Sequence, residues 1–95
     1  MTDWDNPDTD ALFDVILSLS SKTDARKFLR DLLTEQELIE FGKRWKAARM
    51  LHEHLPYTEI QKVTGLSSTT VARISNWIQN GEGGYRKKLR EFSKN

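Results

Sequence analysis

Ninety-five residues, 37% of them hydrophobic and 31% charged, suffice for one small domain with a thin core. The absence of cysteine excludes disulfides, thiol catalysis and Cys-ligated metal centres together; no apolar run approaches the roughly 20 residues of a membrane span, and the acidic start lacks the parts of a signal peptide, so a cytoplasmic protein without a membrane partner is expected. The formal charge of +1 conceals an asymmetry, because residues 1–14 carry five acids and no base whereas residues 15–95 carry fifteen bases and nine acids, with Arg86, Lys87, Lys88, Arg90 and Lys94 crowded at the end.

The periodicity is helical nearly throughout, and no stretch alternates as a half-buried strand does, so the fold class is all-α. Residues 1–10, Trp4 included, read as an acidic, disordered leader, and residues 11–95 as a single helical domain. Asp8 or Thr9 caps a first helix with Leu12, Phe13, Ile16, Leu17 and Leu19 on one side. Ser20 and Ser21 break it. Thr23 opens a second helix in which Ala25, Phe28, Leu29, Leu32 and Leu33 form a wide buried stripe, opposite Arg26, Lys27, Arg30 and Asp31.

Thr34 and Glu37 form a capping box that launches the longest helix, to about His54. Leu38, Phe41, Trp45, Ala48 and Leu51 line its main stripe. Ile39, Met50 and Leu55 make a second apolar edge, which implies a second surface to cover, such as another subunit. Gly42, costly inside a helix, suggests a close backbone approach by a packed neighbour. Pro56 ends this helix. Thr58 and Gln61 read as a second capping box around Ile60 and Val63, Gly65 stops that short helix, and Ser67 or Ser68 caps the next, which runs to about Gln79 with Val71, Ile74 and Ile78 inward. A loop with Gly81, Gly83 and Gly84 leads to a last helix bearing Tyr85, Leu89 and Phe92 on one side and the basic cluster on the other.

Residues 57–79 carry a helix-turn-helix pattern. Gly65 permits the abrupt turn by tolerating positive φ, Leu66 plugs the space between the helices, and Ile60, Val71 and Ile74 supply their common core. Left outside on the second helix are Ser68, Thr69, Thr70, Ala72 and Arg73: small hydrogen-bonding groups, a methyl and an arginine, suited to base edges and phosphates in a major groove. A purely structural helix corner would explain the glycine and the apolar spacing equally well, and Gln61 stands where such units usually place a small residue. The Ser/Thr-rich start of the second helix and the basic body favour double-stranded DNA as the partner. Ser67, Thr58 and Lys62 complete the candidate interface, with Lys43 as a further phosphate contact.

The stretch Leu32-Leu33-Thr34 through Phe41-Gly42-Lys43-Arg44, then Gly65 to Asn76, resembles the tryptophan repressor superfamily, and Gly-Glu-Gly-Gly-Tyr at 81–85 resembles its repressor-related YerC/YecD-like branch. The resemblance covers roughly residues 11–90. It implies six helices, an intertwined homodimer and one helix-turn-helix head per subunit. It also implies that Thr34, Arg44 and Arg73 match positions lining an amino-acid pocket in the tryptophan-responsive members. Two positions depart: Ile74 replaces a pocket glycine and Trp77 replaces a serine that binds the ligand's ammonium group. Both side chains are expected to fill that pocket from within, so free tryptophan is not expected to be a corepressor, no cofactor is implied, and Arg44 and Arg73 become an ion-pair partner and a phosphate contact.

Other candidates have plainer readings. His52 and His54 point to different faces and make no metal pair. Glu37, Glu40 and Asp31 have no apolar cleft or positioned nucleophile beside them, so no enzyme is expected. Trp45 reads as core or interface, and the loop glycines as turn residues. The expectation is a dimeric, sequence-specific, repressor-like regulator at the nucleoid; the alternative is a helical protein-interaction module in a regulatory complex.

Overall fold

The computed structural model describes residues 3–93. Among them are six helices and no strand: α1 (Pro7–Ser18), α2 (Lys22–Leu32), α3 (Glu35–His52), α4 (Tyr57–Thr64), α5 (Ser68–Asn80) and α6 (Gly84–Phe92). The chain divides into two compact units, one up to Leu38 and one from Ile39. The division falls inside α3. Lys94 of the basic cluster lies outside the described residues.

In the first unit, α1 starts within the segment expected to be a disordered leader. Asn6, not Asp8 or Thr9, is its N-cap: Asn6 Oδ1 accepts from the N–H groups of Asp8 and Thr9, and the Thr9 hydroxyl accepts from Asn6 N–H. Pro7 fits the first helical position because its missing donor would be unsatisfied there anyway. Trp4 is tied to this turn, its carbonyl accepting from the Thr9 hydroxyl at 2.6 Å and its indole edge-on to Phe13. Ser21 caps α2 through the N–H of Asp24, so Thr23 sits one residue inside the helix. Neither α1 nor α2 contains a fully buried residue. The wide stripe expected on α2 is therefore only half covered, with Leu32 exposed.

The buried core belongs to the second unit and consists of Ala47, Ala48, Ile60, Leu66, Val71, Ile74 and Leu89, with Trp45, Met50, Leu51, Leu55, Ile78 and Tyr85 packed around it. The Thr34–Glu37 capping box forms reciprocally, at 2.9 and 3.0 Å. At its other end α3 stops before Pro56 by a device unreadable from composition: His54 takes a left-handed φ of 64°, its N–H reaches Leu51 O, and Leu55 N–H reaches Met50 O. These two bonds make a Schellman motif with histidine in the place usually given to glycine. Gly42 has nothing within 4 Å of the position a Cβ would take, so no neighbour among the described residues explains it.

Pro56 is the N-cap of α4 and makes no side-chain cap. The expected Thr58–Gln61 box is absent because the helix begins at Tyr57, which puts Thr58 inside the first turn. Gly81 ends α5 where a Cβ would collide with the Trp77 carbonyl. Gly83, at φ 91°, turns the chain into α6. Leu89 anchors that helix in the core, and Tyr85 lies parallel to Trp45 with centroids 6.3 Å apart. Phe92 meets Trp45 edge-on but stays 72% exposed.

Candidate nucleic-acid interface

The site is built from α4, its turn and the first half of α5. Ile60 on α4 and Val71 and Ile74 on α5 are fully buried, and Leu66 between them nearly so. Burying side chains of this size stabilises by about 1.5–3 kcal/mol each, enough to hold two short helices in one geometry. Gly65 caps α4 with φ 77°, where a residue with a Cβ would be strained. Thr64 completes the turn: its hydroxyl donates to Ile60 O at 2.7 Å and accepts from Leu66 N–H at 3.2 Å. The sequence reading passed over Thr64. A threonine four residues after a core isoleucine and just before the turn glycine is the signal that could have found it, because such hydroxyls bond back to the preceding turn.

Ser67 is the N-cap of α5 and accepts from Thr70 N–H. Ser67, Ser68, Thr69, Ala72 and Arg73 are exposed and Thr70 is half-buried, so the candidate residues of α5 gather at one helix start, on the side away from Val71 and Ile74. Asn76 shares that outward face, one turn after Ala72. It too was missed; its Oδ1 accepts from Asn80 Nδ2 at 2.9 Å. Thr58 and Lys62 are exposed on α4. Among the described residues neither Lys62 nor Arg73 has an ion-pair partner. Lys43 reaches from α3 to the turn, its Nζ 3.9 Å from the position a Cβ on Gly65 would take. An ammonium there also faces the negative end of the α4 dipole.

Thr34 belongs to the first unit, where its hydroxyl is engaged as a cap. Arg44 is half-buried, its Nε 3.6 Å from the Glu40 carboxylate and its guanidinium 5.7 Å from the Phe41 ring centroid. That Nε is shielded from solvent and has no hydrogen-bond partner. Arg44 also opposes the effect of burial on the Tyr85 phenol, which burial pushes up. Ile74 is buried as expected, but Trp77 is 43% exposed. Three residues carry the helix about 60° short of a full turn, which rotates the indole out of the face centred on Val71, Ile74 and Ile78.

The basic cluster is less open than its sequence suggests. Lys88 pairs with Glu91 at 2.9 Å, and that hydrogen bond holds the Glu91 carboxyl below the usual carboxylate range. Arg86 donates to Gln79 O at 2.9 Å. Lys87 and Arg90 make no ion pair within 4.0 Å among the described residues, though both add to the positive field that acts on the Glu91 carboxyl. Among those residues, no group of three or more His, Asp or Glu is placed to hold a metal, and no helix is long and apolar enough to cross a membrane.

A family profile, a relative and two solved structures resemble this chain. The profile of the family described as Trp repressor protein matches residues 7–93. A relative from Bacillus subtilis (strain 168), described as "Uncharacterized protein YerC", is 35% identical over 80 residues, covering 84% of this chain and 77% of the relative. Among solved structures, a TrpR like protein from Eubacterium eligens ATCC 27750 superimposes with a TM-score of 0.87 at 31% identity, covering 93% of this chain and 91% of the other. A Staphylococcus aureus structure gives 0.86 at 26% identity, covering 96% and 94%.

The Thr64 staple is testable by itself. Thr64→Val keeps the shape, deletes the hydroxyl and leaves the buried Leu66 N–H without its acceptor, so thermal or denaturant unfolding should show a loss of about 1–3 kcal/mol. Wild-type stability in that variant would remove Thr64 from the account of the turn.

Proposed function

This chain belongs to the Trp repressor family, a family of DNA-binding transcription regulators, and from that membership we propose that it binds specific duplex DNA as a homodimer and acts as a repressor. The observation that carries the proposal is the start of α5, where Ser68, Thr69, Ala72 and Arg73 are exposed on a helix whose opposite face is locked into the core. Two such helices, set about one helical turn of DNA apart by a dimer, would read half-sites in successive major grooves. Lys62, Arg73, Lys43 and the Thr58 hydroxyl contact phosphates in this reading; Ser67 holds the helix start while Ser68, Thr69, Thr70 and Ala72 face bases. The place of action is the cytoplasm, at the nucleoid.

A second copy is supported by the apolar groups left uncovered. Phe13, Ile16, Leu17, Leu32, Ile39 and Phe41 are all exposed, Leu17 at 84%. On α2 a recess of about 360 Å³ is floored by Ala25, Leu29 and Leu38 and edged by Lys22, Arg26 and Arg30. A chain whose first two helices bury nothing completely gains most from association.

Free tryptophan is not the effector in this reading. Its support is that Ile74 is fully buried where the resemblance gives the tryptophan-responsive members a glycine, and that Trp77 adds an indole to the adjoining flank of α5. The alternative of a protein-interaction module draws on the exposed Trp77 and Phe92, and the salt dependence of DNA binding separates the two.

Three outcomes are expected. Affinity for duplex DNA should fall steeply between about 50 and 200 mM salt, and Lys62→Ala should weaken all sequences alike while lowering the slope of log K against log salt by about 0.9; a salt-insensitive affinity would favour the interaction module. Leu17→Asp should shift sedimentation from dimer to monomer, and an unchanged sedimentation coefficient would take α1 out of the interface. Calorimetry with L-tryptophan should show no saturable heat at micromolar concentration.

A further inference from the structure

Ser67 makes two hydrogen bonds to one residue. Its Oγ accepts the Thr70 backbone N–H at 3.1 Å and donates to the Thr70 hydroxyl oxygen at 3.0 Å. The order of these bonds has a chemical direction. A hydroxyl whose oxygen accepts a hydrogen bond becomes a better donor, so the sequence from N–H through Ser67 to Thr70 reinforces itself. The reverse arrangement would make Ser67 Oγ a double acceptor and gain no such reinforcement.

With one acceptor site of Thr70 Oγ1 filled by Ser67, the proton of Thr70 is left for something else, since a threonine hydroxyl has one donor and two acceptor positions. Among the described residues no carbonyl takes that proton. Ser68 and Thr69 differ: they are exposed and their hydroxyls make no hydrogen bond among the described residues. Ser67 and Thr70 are thus the hydroxyls at the start of α5 that other protein groups hold in place among the described residues, and with the Ser67 proton given to Thr70 it is the Thr70 proton that is left to offer. A group ordered in advance has less freedom to lose on binding.

We propose that Thr70 is a dedicated hydrogen-bond donor of the recognition surface, that Ser67 is the residue that positions it, and that it selects an acceptor atom of the duplex. That acceptor is the N7 or O6 edge of guanine, N7 of adenine, O4 of thymine, or a phosphate oxygen. Exocyclic amino groups of adenine and cytosine, which need an acceptor, are disfavoured opposite it. The inference rests on the DNA-binding reading above and adds the chemistry of one contact to it.

The test uses the full-length protein and duplexes enriched from a random library by the wild type. Thr70→Val removes the hydroxyl and keeps the shape, and should cost at least about fivefold in affinity, the low end for a specific base contact. Thr70→Ser should restore most of it. Ser67→Gly, which an N-cap tolerates, should cost about half as much on a logarithmic scale and nothing further in the Thr70→Val background. Single-position base analogues lacking the acceptor, and single methylphosphonate linkages, then separate the two sources: the substitution that meets Thr70 weakens the wild type and leaves Thr70→Val unaffected. Wild-type affinity and sequence ranking in Thr70→Val would overturn the inference while DNA binding stands. A Ser67→Gly loss that persists in full beside Thr70→Val would reduce Ser67 to a cap and overturn the positioning role. A wild type that enriches no duplex would overturn this inference together with the reading beneath it.

Discussion

A chain that must present one helix edge outward while holding the opposite edge in a core needs a sharp turn before that helix, and Gly65 supplies it. At φ 77° a single residue ends α4 and redirects the backbone, so that Leu66 enters the gap between the helices and Ser67 arrives where α5 requires a cap. Each later feature depends on this placement. Ile60, Val71 and Ile74 meet because the turn is short; Thr64 bonds both sides of it because its hydroxyl lies between Ile60 O and Leu66 N–H. The exposed groups of α5 are functional candidates only because their helix has no freedom to roll.

The distribution of burial explains why so few residues suffice. The whole buried core lies from Ala47 onward, in the unit that carries the candidate interface, whereas α1 and α2 are amphipathic helices without a closed interior of their own. A small chain can stabilise a rigid head in this way and leave association to cover the remaining apolar surface. Trp77 sits between these demands. Its neighbour Ile74 is sealed, yet the indole keeps 43% of its surface open.

Much of this was legible in the sequence, and the exceptions have physical causes. The six helices, the turn at Gly65, the Thr34–Glu37 box and the inward set Ile60, Leu66, Val71 and Ile74 follow from periodicity and cap chemistry, which are local. Three caps were misread because rival cappers stood within two residues of each other. Pro7 fits a first helical position only if Asn6 caps, and Pro56 starts α4 early enough to put Thr58 past the cap. His54 was unreadable because a left-handed C′ residue is ordinarily inferred from glycine. The stripes of α1 and α2 showed which faces are apolar, but periodicity carries no information about what covers a face. In the candidate interface, the roles of Thr64 and Asn76 depend on where the backbone of Ile60 and Leu66 and the side chain of Asn80 come to lie, which residue type and spacing do not state.

Charge gives the last step. Summed along the chain it pointed to the C-terminal cluster, but structure redistributes it: Lys88 is neutralised by Glu91, and Arg86 is turned back onto the end of α5. The turn, by contrast, gains a cation that its own sequence lacks, since Lys43 comes from α3 to stand beside Gly65. A polyanion approaching α5 would therefore meet Lys43, Lys62 and Arg73 around the capped helix start, where backbone N–H groups add their own positive field. Screening at physiological salt confines each charge to about 8 Å, so for a phosphate at α5 the charges that would count are those around its start rather than a larger net charge spread over a tail.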